Sequence, residues 1–190
     1  LIIECVPVVE LGLGLLPEVV ETLIDGGYAG TSLHCTARQH LFGLTKHGVS
    51  IVEITDPLDP VSVARLPTAG GVSTWRDIKV YADHAFVVAD GAADHGIQVL
   101  DLRRLRDIDD FAVLVEDARY DGVSSVHNIA INEETGFAYA VGSNSGGMTC
   151  GGGLHMIDVR TPTSPSFAGC FAETGTGRAG SGYTHDAQCV

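Results

Sequence analysis

The chain has 190 residues, of which 45% are hydrophobic and only 18% charged, with 24 glycines and a formal net charge of −13. That length allows one sizeable core or part of a larger repeat array, and abundant glycine with few charges fits a loop-rich β protein better than a helical bundle. The acidity excludes a nucleic-acid binder, since no basic stripe is present to displace counterions from phosphates. It reads first as surface solubility, in a salty or extracellular setting, and second as an affinity for cations.

The opening stretch LIIECVPVVELGLGLLPEVVETLIDGG is apolar but broken by Glu4, Pro7, Glu10 and Pro17. No apolar run reaches the roughly 18 residues of a membrane-spanning helix, and the basic start of a signal peptide is missing. LPEVVETLIDGG predicts a short helix, with Pro17 near its start and Gly26 as its stop. The first residue is Leu1 rather than Met, which reads as a processed chain or a fragment. Residues 1–38 stand apart as an N-terminal segment of unassigned structure and function.

From about Gln39 the sequence repeats, and a repeat organises everything after it. One set of stretches is TWRDIKVY (74–81), SVHNIAIN (125–132) and YTHDAQCV (183–190), each a polar pair leading into an apolar or alternating run. Aligning Arg76-Asp77, His127-Asn128 and His185-Asp186 gives spacings of 51 and 58 residues. A second set, HLFGLT (40–45), HAFVVAD (84–90) and FAYAVGS (137–143), is rich in aromatic and small apolar residues. A third, GVSIVEITD (48–56), GIQVLDL (96–102) and GLHMIDV (153–159), begins on glycine and alternates as a half-buried strand does. The fourth is VSVARLP (61–67), FAVLVED (111–117) and SFAGCFA (166–172), preceded twice by proline-spaced turns, DPLDP and TPTSP.

Four short strands recurring over roughly 50 residues have the size of a kelch-like propeller blade. A β-sandwich predicts turns at similar intervals but not four strands in a fixed recurring order. The predicted fold is therefore all-β, an incomplete β-propeller of four-stranded antiparallel blades. Residues 39–67 supply strands two to four of one blade, 74–117 and 125–172 supply whole blades, and 183–190 supplies the first strand of the next. Twelve strands make three blade equivalents, fewer than the four to eight that close a propeller, so the expectation is a piece of a larger ring.

The stretches SIVEITDPLDPVSVARLPT, STWRDIKVYADHAFVVADGAADHGIQVLDL, YDGVSSVHNIAINEETGFAYAVGSN, CGGGLHMIDVRTPTSPSFAGCFAE and GYTHDAQCV resemble the LVIVD-repeat proteins, and more closely the choice-of-anchor B family. The resemblance runs from about residue 39 onward, roughly four-fifths of the chain, and leaves out residues 1–38. It implies a secreted or surface-attached β-propeller with no established enzymatic activity. The family's anchoring segment lies C-terminal to the matched stretches.

The aligned pairs Arg76-Asp77, His127-Asn128 and His185-Asp186 are the first candidate site. First strands are innermost in a propeller, so these positions converge on a central channel. His127, His185 and Asp186 are residue types that hold a divalent metal, whereas Arg76 in one blade favours a mixed polar channel. The plainer reading is that the pairs hydrogen-bond neighbouring blades. DGAADHG (90–96) offers Asp90 and Asp94 on a glycine-permitted turn, as a cation-binding loop does, but an Asp-Gly turn explains it as well. GSNSGGMTCGGG (142–153) and ETGTGRAGSG (173–182) lack the lysine or helix start of a phosphate cradle and read as loops on a binding face. RRLRD (103–107) reads as a solvated loop, and Asp56, Asp101 and Asp158 as turn caps. Ser124 and Ser125 lie near His127 without a nucleophile elbow, so a serine hydrolase is unsupported.

The five cysteines form no C-x-x-C pair, which argues against a zinc knuckle or a thioredoxin-type motif. Cys150, Cys170 and Cys189 could support a disulfide in an oxidising compartment, and buried free thiols fit equally well. The leading functional expectation is a noncatalytic extracellular or cell-surface module that binds a ligand or protein partner. The rival is a metal-dependent enzyme at the channel mouth, using His127, His185, Asp77 and Asp186.

Overall fold

The computed structural model describes residues 33–35, 39–143, 145–177 and 180–189. The helix expected within LPEVVETLIDGG lies outside them. Among the described residues fifteen strands form. β1 (Leu33–Cys35), β2 (Gln39–Thr45), β3 (Gly48–Glu53) and β4 (Val61–Pro67) build the first sheet. The second contains β5 (Arg76–Tyr81), β6 (His84–Ala89), β7 (Ile97–Asp101) and β9 (Ala118–Tyr120). The third contains β11 (Asn128–Asn132), β12 (Phe137–Val141), β14 (Leu154–Asp158) and β15 (Ser166–Phe171). β10 (Val123–Ser125) and β13 (Ser145–Gly147) form a small ribbon. Among the described residues the fold is all-β, with two four-stranded antiparallel sheets following a first sheet that takes a fifth strand in parallel, and none of these sheets closes on itself.

Local chemistry fixes the hairpins. Ala82 and Asp83 both sit at positive φ, 48° and 58°, between the paired Tyr81 and His84, the left-handed two-residue turn that matches strand twist. Gly48 opens β3 at φ 136°, where a Cβ would come within 2.1 Å of the Leu66 carbonyl oxygen. Only glycine lets β4 approach that closely.

The sheets stack face to face, and β6 shows how. All six of its residues are buried, because both faces of the strand are covered. Ala85 and Val87 pack with Phe42, Ile51, Leu66 and Leu100 between the first and second sheets. Phe86 and Val88 point the other way, into a second core with Val126, Ile129, Ala138 and Ile157. Strand alternation thus makes one run serve two interfaces.

Polar groups tie the same junctions. Asp77 accepts the backbone N–H of Ile129 at 3.1 Å across the second junction, and also the N–H of Ile78 and the Lys79 ammonium. Asp77→Ala is expected to cost about 1–2 kcal/mol, because it orphans an inter-sheet donor. Lys79→Ala removes only a half-exposed ion pair and is expected to cost under about 0.5 kcal/mol. Urea unfolding of the two variants tests the difference.

Four expectations from the sequence need correction. First, FAVLVED (111–117) is not the fourth strand of the second sheet. β8 (Ala112–Val113) instead pairs in parallel with β4 of the first sheet, and β9 supplies the outer strand. Leu114 is the physical reason: it is buried in the first core, while its N–H donates to the Arg65 carbonyl. The segment then crosses over, and Asp117 N–H reaches the Val99 carbonyl. Second, Leu33–Cys35 pairs antiparallel with β2, so the first sheet has a strand preceding residue 39. Third, RRLRD is not a plain loop: Leu102–Asp107 is a 3-10 helix that buries Leu102 and Leu105 and exposes its arginines. Fourth, residues 183–189 form no strand. A strand exists only by pairing, and none of the described strands lies alongside; Thr184 N–H instead bonds the Gly152 carbonyl.

Turn capping by aspartate is seen directly. Asp56, Asp101 and Asp158 accept the N–H groups of Leu58, Arg103 and Arg160. Of the three clustered cysteines, Cys150 and Cys170 are bridged and Cys189 is a free thiol.

Candidate functional site

The end of β6 and the start of β11 are brought together by the junction of the second and third sheets. Val126 N–H bonds the Ala89 carbonyl at 3.0 Å, which sets Asp90 beside Ser125 and His127. Asp90 Oδ2 accepts His127 Nδ1–H at 2.9 Å and Oδ1 accepts the Ser125 hydroxyl at 3.1 Å. An ionised carboxylate only accepts, so Nδ1 carries the proton in this contact. The Ser125 oxygen in turn takes the Gly91 N–H at 2.8 Å.

The other wall comes from the segment after β15. Thr184 is tied to Gly152, and Tyr183 packs where a Cβ on Gly152 would lie 3.0 Å from its ring. That places the His185 ring 4.2 Å from His127, centroid to centroid, at a tilt of 55°. Trp75, just before β5, completes the surround and is 55% exposed. The result is an open cavity of about 500 Å³ lined by Trp75, Asp90, His127, Gly177, Tyr183 and His185.

The residues singled out in the sequence therefore divide. His127, His185 and Asp90 meet in the cavity. Asp94 is exposed at φ 57° in its turn and does not share the site with Asp90. Asp186 is exposed and caps Ala187 N–H, away from the cavity lining. Asn128 begins β11, opposite Val141. Asp77 is spent on the sheet junction. Among the described residues no group of three or more His, Cys, Asp or Glu is placed to hold a metal. The set His127, His185 and Asp186 is not gathered because Asp186 turns outward.

Arg76 is buried between the first and second sheets. Its Nη1 donates to His95 Nε2 at 2.8 Å and its Nη2 to Thr68 Oγ1 at 2.7 Å. Desolvation lowers its pKa to about 10. His95, fully buried, donates Nδ1–H to the Gly96 carbonyl at 2.9 Å, so Nε2 is free to accept from Arg76. Burial, with the Arg76 charge adding to it, pushes the His95 pKa down to about 4. His155 repeats the pattern in the third sheet. Its Nδ1–H donates to the Met148 carbonyl at 2.6 Å, and Nε2 accepts the Tyr120 hydroxyl at 2.7 Å. Burial lowers its pKa as well. Both imidazoles are neutral structural acceptors.

Sequence reasoning passed over Trp75 and Tyr183 as cavity residues. The available signal was their place immediately around the aligned polar pairs, in STWRD and GYTHD. Ser125 is buried, and its hydroxyl donates to Asp90 rather than to His127. Among the described residues no helix is long and apolar enough to cross a membrane. Comparison with known proteins finds no family model, curated protein or solved structure that matches the chain.

Proposed function

We propose that the chain is a noncatalytic binding module of β-propeller type, related to the LVIVD-repeat and choice-of-anchor B proteins it resembles, with its ligand seated in the Trp75–His185 cavity. The observation that carries this reading is the convergence of Trp75, Asp90 and His127, from strand ends of two stacked sheets, with Tyr183 and His185. Open cavities with aromatic walls and a few convergent polar groups are ligand sites. Consecutive sheets of four or five strands joined by two shared cores support the propeller form. The Cys150–Cys170 bridge supports an extracellular or cell-surface location. The metal-dependent alternative has no three-ligand grouping among the described residues behind it.

Trp75 is the only tryptophan in the sequence, so intrinsic fluorescence reports on the cavity itself. A panel of sugars, amino acids, short peptides and alkylammonium ions is screened by Trp emission, and each mixture is then examined by mass spectrometry. Binding is expected as a saturable change in emission with every panel member recovered intact. A panel that leaves emission unmoved, or a member chemically converted, overturns the reading.

A further inference from the structure

The cavity's charge pattern sharpens the ligand's chemistry. Ion pairs among the described residues use arginine or lysine in nearly every case: Asp77 with Lys79, Asp101 with Arg103, Asp117 with Arg104, Asp83 with Arg106, Glu116 with Arg119, Asp158 with Arg160. Asp90 differs. Its carboxylate is bonded by a hydroxyl and an imidazole, and among the described residues no lysine or arginine lines the cavity it faces. An anion would meet the Asp90 carboxylate there, and the chain's charge of −13 repels it further. A cation meets a carboxylate and ring faces together.

We propose that the cavity binds an organic cation, an alkylammonium group held over the Trp75 and Tyr183 rings with Asp90 as its counter-charge. Trp is the strongest of the side-chain rings for this contact and Tyr follows it, and the attraction grows when the ion is partly desolvated. Trp75 is half exposed with its ring on the cavity. Gly91, whose N–H holds Ser125 in place, lets Ser125 and His127 fix the Asp90 carboxylate without neutralising it by a permanent charge. A bare divalent ion is the poorer fit, because the described residues offer no three-ligand set.

This inference rests on the binding reading above, and its test separates the two. Choline and its uncharged isostere 3,3-dimethylbutan-1-ol are titrated against Trp75 emission at pH 8, where ordinary imidazoles are uncharged. Choline is expected to give a saturable change, with the isostere at least about 10-fold weaker. Asp90→Asn, which keeps the carboxylate's shape and an accepting oxygen, is expected to weaken choline at least about 10-fold and the isostere far less. Tyr183→Ala, in a segment outside the sheets, is expected to weaken choline several-fold. Equal affinity for choline and the isostere, or no effect of either substitution, overturns the cation assignment. Binding of sugars or peptides without choline sinks the cation inference and leaves the binding reading standing. No response to any panel member sinks both.

Discussion

Acidification from pH 7 to pH 4.5 is expected to destabilise the protein by roughly 2 kcal/mol through His95 alone. The folded state holds His95 near pKa 4, against 6.5 for an ordinary histidine. Between those values the unfolded chain binds a proton that the folded chain refuses, so stability falls as pH falls. The contribution is complete above 6.5 and is lost progressively down to about 4. The cause is local: Nδ1 already donates to Gly96, Nε2 already accepts from Arg76, and a second ring proton would face a guanidinium in a buried junction. His155 shifts in the same direction and adds to the slope. Asp101 and Asp158, held near 2 by their hydrogen-bonded arginines, lose their contribution as pH falls from 3.8 toward 2, mostly below this window. Urea midpoints across pH 4.5–7.5 read the effect directly. His95→Gln retains a donor and an acceptor but no titration, so its stability is expected to vary with pH by about 2 kcal/mol less than the wild type. Parallel pH profiles for the two proteins would contradict the assignment.

Opening the Cys150–Cys170 bridge is expected to cost about 3 kcal/mol and to loosen the cavity at the same time. The bridge closes a loop with a sequence separation of 20, for which the chain-entropy argument gives about 3 kcal/mol. Cys150 starts the short turn Cys150–Gly152, whose last carbonyl accepts Thr184 N–H and whose backbone packs on Tyr183. Cys170 anchors that turn to β15, opposite His155. Without the bridge the turn is held to the third sheet by fewer contacts, and Tyr183 and His185 lose their backing. The paired substitution Cys150→Ser with Cys170→Ser is expected to lower the urea midpoint by the corresponding amount and to shift Trp75 emission toward that of a fully solvated indole. An unchanged midpoint and spectrum would show that the turn does not depend on the bridge.

Most strands were legible because the physical signals were redundant. Glycine at positions 48, 96 and 153 and the alternation after it marked the third strand of each unit, and in two of the three a proline turn followed it. HAFVVAD was readable as apolar, and its burial on both faces is what a strand between two stacked sheets requires. FAVLVED misled because its alternation is genuine but short. The burial of Leu114 in a neighbouring core draws the segment to another sheet, and no local pattern encodes that choice. LRRLRD hid a helix turn because its apolar members, Leu102 and Leu105, are spaced three apart within a basic run.

The site was half legible for similar reasons. Repeat alignment located His127 and His185, because the polar pairs they open recur in the sequence. It did not locate Asp90 as the partner of His127, since that contact joins residues 37 apart across a sheet junction. Arg76, aligned with both histidines, is buried against His95, a partner that belongs to an unaligned turn. Position in the repeat thus indicates where a side chain starts, and packing of the neighbouring sheet decides what it meets.

The central claim is that the cavity between the second and third sheets is the binding surface. Chemical-shift mapping with the best ligand from the Trp75 screen tests it most directly. Perturbations are expected to concentrate at the Trp75 indole N–H, the His127 and His185 rings, and the Tyr183 and Gly177 amides. Perturbations centred elsewhere, for example at the 310 Å³ cleft formed by Asp158, Arg160, Thr161, Ser164 and Ser166, with the Trp75 indole unmoved, would contradict it.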